Sequence, residues 1–475
     1  MKLIDLHLVY AARLGLLAGL FLTLALWLTG HGQAQVPSSR GEIALSFAPV
    51  VKSAAPAVVN VYARRVVTAR ARHPFSGDPF FDRFFGDGGF GMPRERVENS
   101  LGSGVFVRPD GVVVTNNHVI KGASDLTIVL PDRREFAATI LLQDERTDLA
   151  VLKIDAGGER FAALEFADSD QAEVGDVVLA IGNPFGVGQT VTSGIVSALA
   201  RTQVGVSDYQ FFIQTDAAIN PGNSGGALVD GRGALIGVNT AIFTRSGGSN
   251  GIGFAIPSNM VARVVDAALS GGRLVRPWIG VTGQDVTSDL AESLGLDRPG
   301  AVLIASVFPG GPGAKAGLRR GDVVLRADGF EVTDRQSLRY RVATVRPGET
   351  VDLLVLRNGK ERTVSVRTAL PPEDPPRNVT ELSGAHPLSG AVVGNLSPAF
   401  NEELGLDPEL TGVVVVDIQR GSATRLSLRP GDIIRTVNGV NITAITDLQT
   451  VLSRPAPAWE IVYRRGNRDI RIAIR

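Results

Sequence analysis

The segment Asn220-Pro-Gly-Asn-Ser-Gly-Gly-Ala-Leu228 places a serine in a glycine-rich turn that leads into an apolar run. From about Ile43 to Leu269, short apolar runs rich in β-branched residues are separated by Gly, Pro, Asn and Asp. Runs of this length bounded by turn residues are typical of strands in a barrel or sandwich, not of helices. Residues 41–270 are therefore predicted to form a mainly-β domain, closed by a helix at Asn259–Leu269. The predicted strands include Gly104–Val107, Val112–Thr115, Leu126–Leu130, Leu149–Ile154, Asp176–Ile181 and Ala234–Ile242.

Ser224, at the centre of the quoted turn, is a candidate nucleophile. A serine hydroxyl attacks a carbonyl only when a neighbouring base removes its proton, and the oxyanion that forms needs N–H donors. Gly222 has no Cβ, so it can adopt the unusual dihedral angles that turn its N–H inward beside that of Ser224. Gly222 and Ser224 are therefore the predicted oxyanion-hole donors. Taken alone, the same segment is also a good loop turn.

Few residues can serve as the base, because the sequence contains only five histidines. They are His7, His31, His73, His118 and His386. His118 follows the strand pattern that ends near Thr115. The others lie in the N-terminal segment, in a predicted loop or, for His386, in the second of two C-terminal repeats. His118 is the candidate base, with a half-buried structural histidine as the alternative for this position.

Asp148 directly precedes the apolar run Leu149–Ile154. Burying an unpaired carboxylate is costly, and an imidazole N–H would compensate it while leaving the other ring nitrogen to accept the serine proton. A turn aspartate that caps a strand is the alternative. The order His118, Asp148, Ser224 is that of the chymotrypsin arrangement, not of subtilisin or the α/β-hydrolases. The three residues together predict a serine endopeptidase, and the lack of an HExxH motif disfavours a metalloprotease.

Composition excludes several other classes of function. Lys plus Arg equals Asp plus Glu, at 48 each, so no overall field favours nucleic acid. The absence of cysteine excludes disulfides, cysteine nucleophiles and thiolate metal sites. No metal or cofactor is predicted. The 475 residues are enough for about three domains.

The N-terminus predicts export. Leu14–Leu28 is an apolar run of fifteen residues preceded by Lys2 and Arg13. A membrane-spanning helix needs about 20 apolar residues, and the apolar part of a signal peptide about 7–15. Residues 1–35 are therefore predicted to be a signal peptide with cleavage near Ala34. The alternatives are an uncleaved anchor, which also places the remainder outside the cytoplasm, and a buried core helix.

The C-terminal part of the chain is a duplication. Leu318–Thr333 matches Leu428–Thr443 at an offset of 110 residues, and an amphipathic stretch follows each copy, at Gln336–Val345 and Thr446–Leu452. Two small α+β domains are predicted, a first repeat domain at 276–370 and a second repeat domain at 386–475. The link at 371–385 begins with Pro-Pro-Glu-Asp-Pro-Pro, which should be extended and stiff. Residues 73–93, rich in Gly, Pro and Phe without any period, are predicted to be a mobile loop that contacts another surface or subunit.

Several motifs resemble those of the HtrA/Deg serine proteases of the bacterial envelope, and the repeats resemble their PDZ domains. The motifs are TNNHVI at Thr115–Ile120, TDLAVLKI at Thr147–Ile154, GNPFG at Gly182–Gly186, GIVSA at Gly194–Ala198, GNSGGALVD at Gly222–Asp230 and GIGFAIP at Gly251–Pro257. The resemblance covers nearly the whole chain from about residue 43.

The resemblance implies a chymotrypsin-like double β-barrel protease domain followed by two PDZ domains. It further implies a periplasmic enzyme that degrades unfolded or damaged envelope proteins without ATP. The implied assembly is a homotrimer or a multiple of it. Envelope proteins and peptide C-termini are the expected partners, and nucleic acid is not.

The resemblance also places the specificity pocket on Ile219, Ile252 and Phe243. Ala218, six residues before the candidate nucleophile, stands where chymotrypsin-like chains have the pocket base. Without an acid at that position, a Lys or Arg of the substrate has no buried partner. Cleavage after Val, Ala or Ile is therefore expected.

In the first repeat domain, Arg276-Pro-Trp-Ile-Gly-Val281 resembles the PDZ loop that binds a peptide carboxylate. The N–H groups of Ile279, Gly280 and Val281 would hold the carboxylate while the peptide adds a strand to the sheet edge. In the second repeat domain, Leu388-Ser-Gly-Ala-Val392 departs from the PDZ pattern, which makes peptide binding there doubtful. A role in packing or assembly is the alternative.

Two other functions compete with the protease hypothesis. In the first, the chain is a chaperone or a PDZ scaffold that holds unfolded proteins. In the second, the same triad serves an esterase. The complete triad disfavours the first as the main function, and the peptide-recognising modules disfavour the second.

Overall fold

The computed structural model describes residues 46–68, 95–183, 188–202, 211–220, 222–242, 250–271, 274–407, 410–419, 421–466 and 468–474. The predicted leader, the predicted loop at 73–93 and Phe243 lie outside these ranges. The described chain forms two closed β-barrels followed by two separate sheets. This architecture confirms the predicted fold class. No helix within the described ranges is long and apolar enough to cross a membrane.

The first barrel closes in the strand order β1-β2-β3-β6-β5-β4 around a core of Val, Ile and Leu side chains. Strand β3 is buried along its whole length, as its run of β-branched residues predicts. Its last residue, Asn116, pairs with Leu149, the first residue of β6. This pairing brings the segment after β3 next to the segment before β6. The elements are α1 (Ala48–Ala54), β1 (Val58–Thr68), β2 (Glu95–Arg108), β3 (Val112–Asn116), α2 (Asn117–Ile120), β4 (Asp125–Val129), β5 (Glu135–Asp144) and β6 (Leu149–Ile154).

The second barrel closes in the order β10-β11-β12-β9-β8-β7, and a helix, α3, follows it. Buried residues of α3, among them Val261 and Val264, share one core with both barrels. The helix contacts β5, β6 and β11, so it holds the two barrels together. The elements are β7 (Val177–Gly182), β8 (Thr190–Arg201), β9 (Phe212–Thr215), β10 (Ala227–Asp230), β11 (Leu235–Ile242), β12 (Gly253–Pro257) and α3 (Ser258–Leu269).

The first repeat domain is a sheet in the order β13-β14-β15-β17-β18, with β16 paired to β15. Its helix α6 forms where the amphipathic stretch Gln336–Val345 predicts one. Asp334 caps this helix by accepting a hydrogen bond from the Ser337 N–H at 2.8 Å. The elements are β13 (Val281–Asp285), α4 (Ser288–Leu294), β14 (Val302–Val307), α5 (Pro312–Ala316), β15 (Val323–Ala327), β16 (Phe330–Glu331), α6 (Arg335–Thr344), β17 (Thr350–Arg357) and β18 (Lys360–Arg367).

The second repeat domain has the order β19-β20-β21-β22-β24-β25, with β23 paired to β22. Strand β19 lies inside the segment 371–385 that the sequence predicts as a link, so the end of that segment is part of this sheet. The elements are β19 (Thr380–Glu381), β20 (Ala391–Asn395), α7 (Pro398–Leu404), β21 (Val413–Ile418), β22 (Ile433–Val437), β23 (Val440–Asn441), α8 (Ile445–Leu452), β24 (Trp459–Arg465) and β25 (Arg468–Ile474).

Both repeat domains contain the same buried ion pair, which shows that they share a structural frame, meaning the same sheet stabilised by the same contacts. Asp322 and Asp432, 110 residues apart, are each 1% exposed. Arg357 donates to Asp322 through Nε at 2.6 Å and Nη2 at 2.7 Å. Arg465 donates to Asp432 in the same two-bond geometry, at 2.8 and 2.7 Å.

A cluster of charges joins the three domains. Glu402 of α7 lies 2.7 Å from Arg146 of the barrel domain, 3.9 Å from Arg276 and 3.5 Å from Arg339. Arg276 also lies 2.6 Å from Asp144 at the end of β5. Each repeat domain is therefore in contact with the barrel domain.

Candidate active site

His118 and Asp148 meet where β3 and β6 end their pairing. His118 lies in α2, immediately after β3, and Asp148 directly precedes β6. Nδ1 of His118 is 2.7 Å from Oδ2 of Asp148, and the backbone N–H of His118 donates to Oδ1 at 3.0 Å. The carboxylate thus orients the imidazole and leaves Nε2 available for another partner.

The Asp148 carboxylate is buried, at 5% exposure, yet it is not unpaired. The Thr240 hydroxyl donates to Oδ2 at 2.7 Å, in addition to the two donors from His118. The Asp148 backbone has a φ of 57°, and its carbonyl accepts from the Asn117 N–H and the Asn116 side chain, each at 3.0 Å. These bonds offset the cost of burying a charge and hold the carboxylate in one orientation.

Ser224 lies in the loop that precedes β10, and its hydroxyl donates to the Thr240 carbonyl at 3.1 Å. Within the described residues, no hydrogen bond joins this hydroxyl to His118. Thr240 therefore contacts the acid through its hydroxyl and the serine through its carbonyl. To donate to His118 instead, the hydroxyl would first have to release the Thr240 carbonyl. Thr240 was not predicted from the sequence, because nothing in the β11 pattern distinguishes it from an ordinary strand threonine.

Gly222 adopts a φ of 97°, in the region that favours glycine. Its carbonyl accepts a hydrogen bond from the Ser103 hydroxyl at 2.6 Å, and the next N–H, of Asn223, donates to the Asn220 carbonyl at 3.0 Å. The peptide between Gly222 and Asn223 is thus held at both of its polar atoms. Among the described hydrogen bonds, none is donated by the N–H groups of Gly222 or Ser224. That leaves both groups available to a substrate oxyanion.

Ser103, fully buried on β2, connects the first barrel to the nucleophile loop. Its N–H donates to the Ser224 carbonyl at 2.9 Å, and its hydroxyl accepts from the Asn183 N–H at 2.9 Å while donating to Gly222. Its own carbonyl accepts from the Thr115 hydroxyl at 2.7 Å. Ser103 was not predicted from the sequence either. The available signal was a serine between two glycines, Gly102-Ser-Gly104, directly before the apolar run Val105–Val107.

Of the three residues of the predicted specificity pocket, the structure describes Ile219 and Ile252. Ile219 is 1% exposed and packs against β12, since a Cβ added at Gly253 would lie 2.7 Å from its Cδ1. Ile252 and Ala218 are both partly buried. Asp216 is exposed, and its carboxylate accepts a backbone N–H of β8 at 2.7 Å. The described residues also contain no cluster of His, Asp and Glu that could hold a metal ion.

Comparison with known proteins identifies the family. The trypsin-like peptidase domain family matches residues 102–238, and PDZ domains match residues 277–368 and 394–455. A relative from Marinomonas sp. (strain MWYL1), named probable periplasmic serine endoprotease DegP-like, is 42% identical over 417 residues. The alignment covers 85% of this chain and 87% of that relative. The chain belongs to the DegP-like serine endoproteases.

Further comparisons agree with this assignment. A DegP-like relative from Pseudomonas putida (strain F1) is 40% identical over 448 residues, which cover 91% of this chain and 92% of the relative. The solved structure of the HtrA-type protease AlgW with a tripeptide is 45% identical and covers 69% of this chain and 98% of its own, with a TM-score of 0.51. The structure of AlgW with a decapeptide is 48% identical, covers 69% of this chain and 99% of its own, and has a TM-score of 0.50. The family, and the class of enzyme predicted from the sequence, are confirmed.

The first PDZ domain of this DegP-like protease, the first repeat domain, has an open groove next to the predicted carboxylate-binding loop. A cavity of about 650 Å³ lies between β13 and α6. Ile279, Val281, Leu338 and Val342 line it, and Gly280 turns the loop with a φ of 71°. Residues of the second repeat domain, including Glu402 and Leu406, form part of the cavity wall.

Proposed function

We propose that His118, Asp148 and Ser224 form the catalytic triad of this DegP-like endoprotease. The observation that carries the proposal is the 2.7 Å contact between His118 Nδ1 and Asp148 Oδ2, next to the loop that presents Ser224. Nε2 of His118 takes the Ser224 proton as the hydroxyl attacks a peptide carbonyl, and then gives it to the leaving amine. The N–H groups of Gly222 and Ser224 bind the oxyanion.

The most direct test is covalent labelling by a fluorophosphonate, which reacts with an activated serine. The parent protein should be labelled at Ser224, and the Ser224→Ala variant should be neither labelled nor able to digest casein. Ser270→Ala, after the end of α3, is the matched control and should behave like the parent. The loss of turnover expected for Ser224→Ala is at least about 10⁴-fold. An unchanged digestion rate would contradict the triad.

The substitution Asp148→Asn tests the role of the acid separately from those of His118 and Ser224. An amide favours the wrong tautomer of His118, so the turnover number should fall about 10⁴-fold while substrate binding changes little. The measurement is steady-state kinetics on an unfolded protein substrate. A decrease in substrate affinity with normal turnover would indicate that Asp148 only stabilises the loop.

We infer that cleavage occurs after small or medium aliphatic residues, at a pocket formed by Ile219, Ile252 and Phe243. Ala218 supports this inference because it supplies no charge where a Lys or Arg side chain would need one. Digestion of an unfolded protein followed by mass spectrometry of the fragments tests it. Val, Ala and Ile are expected at the cleaved bond, and a preference for Arg would overturn the inference.

We propose that the protein works in the periplasm on unfolded envelope proteins and does so without ATP. The apolar run Leu14–Leu28 and the periplasmic relatives support the location. Hydrolysis by a serine triad consumes only water, so no nucleotide is needed. Fractionation of cells should place the protein in the periplasm, and the purified enzyme should digest casein at the same rate with and without ATP.

We also propose that the enzyme holds unfolded proteins as a chaperone. The Ser224→Ala protein, which cannot digest clients, should suppress their aggregation if the enzyme also holds them. We propose a homotrimer or a multiple of it, on the basis of the family resemblance. Light scattering coupled to size-exclusion chromatography should give a mass that is a multiple of three protomers, and a monomer would overturn this.

We further propose that the open groove of the first repeat domain binds peptide C-termini. The free edge of β13 can accept a peptide as an added strand, and Leu338 and Val342 can contact its last side chain. Leu338→Glu should abolish binding of a C-terminal peptide without affecting the labelling of Ser224. Equal binding by parent and variant would contradict the assignment.

A further inference from the structure

The two repeat domains differ at one edge of their sheets. In the first, β13 is the outermost described strand, and it follows the loop Ile279–Val281. In the second, the equivalent strand β20 follows the loop Ser389–Ala391, but β19 pairs with its outer edge. The edge at which a PDZ domain accepts a peptide is therefore already occupied in the second repeat domain.

The two loops have the same backbone conformation despite their different sequences. Gly280 and Gly390, 110 residues apart, have φ values of 71° and 87°. In each loop the glycine carbonyl and the preceding carbonyl accept hydrogen bonds from equivalent N–H groups. These bonds are Phe308 to Gly280 at 2.8 Å, Gln419 to Gly390 at 2.7 Å, Gly313 to Ile279 at 2.7 Å and Ala423 to Ser389 at 3.0 Å. The departure of the second loop from the PDZ sequence pattern has not changed its shape.

Strand β19 is bonded to this loop as a bound peptide would be. It runs antiparallel to β20, with Thr380 opposite Val393. At its end, the Leu382 N–H donates to the Ala391 carbonyl at 2.8 Å, and the Gly390 N–H of the loop donates to the Leu382 carbonyl at 2.7 Å. Leu382 thus occupies the position of the C-terminal residue of a bound peptide. Its carbonyl accepts the Gly390 N–H hydrogen bond that the carboxylate of such a peptide would otherwise accept.

The Leu382 side chain fills the groove. It is 4% exposed and belongs to one apolar cluster with Leu388 of the loop and with Leu448 and Leu452 of α8. In the first repeat domain, the residues 110 positions earlier than the two α8 leucines are Leu338 and Val342. Those two residues line the open cavity. The same groove is therefore open in one copy and occupied by a leucine in the other.

We propose that Val379-Thr-Glu-Leu382 is an internal ligand of the second repeat domain. This segment of the same chain occupies a groove that could otherwise bind a peptide. Free peptide C-termini therefore bind only the first repeat domain. Without this segment, the groove would accept a C-terminus that ends in Thr-X-Leu. A covalently linked segment competes at an effective concentration of about millimolar, which excludes weaker ligands. The proposal deepens the peptide binding proposed above.

The first test counts binding sites on the full-length Ser224→Ala protein. The probe is a labelled pentapeptide, Asn-Val-Thr-Glu-Leu with a free C-terminus, titrated by fluorescence anisotropy and calorimetry. The parent should bind one peptide per chain, and Leu382→Asn should bind two, because a buried amide no longer holds β19 in place. Leu370→Asn is the matched control, since Leu370 is 55% exposed, and it should bind one.

Adding Leu338→Glu distinguishes this proposal from peptide binding at the first repeat domain. That variant should bind no peptide, and combining it with Leu382→Asn should restore one site per chain. If the parent binds nothing while Leu382→Asn gains one site, only the proposal about the first repeat domain fails. If Leu382→Asn gains no site although Trp459 fluorescence shows a folded domain, the internal-ligand proposal is wrong.

A disulfide provides a reversible lock, because the chain contains no cysteine. Glu381 and Val392 are direct partners across β19 and β20, and neither is fully buried. Glu381→Cys with Val392→Cys, placed in the Leu382→Asn protein, should lose the second site on oxidation and regain it on reduction. A second site that persists in the oxidised protein would contradict the proposal.

Hydrogen exchange on the Ser224→Ala protein tests the proposal without altering the groove. The amides of Leu382 and Gly390 should exchange as slowly as those of the sheet. Saturating peptide should slow exchange in β13 and leave β20 unchanged. If the peptide makes the Leu382 amide exchange faster, it displaces β19, and the groove is not closed to free ligands.

Discussion

The two repeat domains have the same frame and different grooves. Both bury an aspartate that an arginine binds through two hydrogen bonds, at Asp322 and Asp432. Both also carry a helix that contacts the strand after the loop, α6 beside β13 and α8 beside β20. The first leaves the space beside that helix open, whereas the second fills it with Leu382. Duplication has thus preserved the parts that stabilise the fold, while a short segment outside the duplicated sequence determines whether the groove is accessible.

The largest difference between the repeats is expected from truncating the groove leucines. Leu448→Ala should destabilise the second repeat domain by about 4 kcal/mol, because it leaves a cavity in a closed core. Leu338→Ala should destabilise the first repeat domain by only about 2 kcal/mol, since the Leu338 side chain already borders an open cavity. Urea denaturation measures both, in proteins that keep only Trp278 or only Trp459. Equal losses would contradict the contrast between an open and a filled groove.

The shared frame predicts equal effects in the two domains. Asp322→Asn and Asp432→Asn each replace a buried carboxylate that binds an arginine through two hydrogen bonds. Loss of these charge-assisted bonds should cost about 2 kcal/mol in either domain. The same denaturation assay applies. A loss in one domain only would show that the repeats do not depend on the same ion pair.

A pH dependence should distinguish the domains, because His386 in the second repeat domain has no histidine counterpart in the first. Burial lowers the pKa of His386 below its ordinary value. A depressed histidine pKa favours the neutral ring in the folded state, so its stability contribution is complete above about pH 6.5 and decreases as the pH falls below that. The second domain should therefore lose stability on acidification, by less than either mutation costs. His386→Gln should remove this dependence, and if acid destabilises that variant equally, another group is responsible.

The smallest effects are expected at exposed ion pairs. Arg298 pairs with Glu331 in the first domain and Arg471 with Glu460 in the second, with side chains 45–73% exposed. Glu331→Gln and Glu460→Gln should each change the free energy of unfolding by less than about 0.5 kcal/mol. Larger effects in denaturation experiments would mean that surface charge also distinguishes the repeats.

Much of the fold could be predicted because strand patterns are local. The runs Val112–Thr115 and Leu149–Ile154 appear as β3 and β6 with shifts of at most one residue. The order of His118, Asp148 and Ser224 indicated the chymotrypsin arrangement, the family resemblance implied the double barrel, and the constant offset predicted the duplication. The unusual second loop raised doubt about peptide binding by the second repeat domain, but nothing in the sequence indicated that Leu382 would pack in its groove.

Other features of the active site depended on contacts that sequence patterns do not record. Thr240 contacts both the acid and the nucleophile, and Ser103 connects β2 to the nucleophile loop. Each looks like an ordinary polar residue in its own strand. Their importance comes from the closing of two barrels, which brings residues more than a hundred positions apart within hydrogen-bonding distance, as with Ser103 and Gly222.

By itself, the sequence determined the class of fold, the duplicated frame and the three residues proposed for catalysis. These features depend on residue type and spacing, which can be recognised directly in the sequence from side-chain periodicity and chemistry. Only the tertiary structure decided where the Ser224 hydroxyl points, and that Leu382 occupies the second groove. Those outcomes depend on which sheet edge and which apolar pocket a segment reaches after the chain has folded, and segments of similar local sequence can reach different ones.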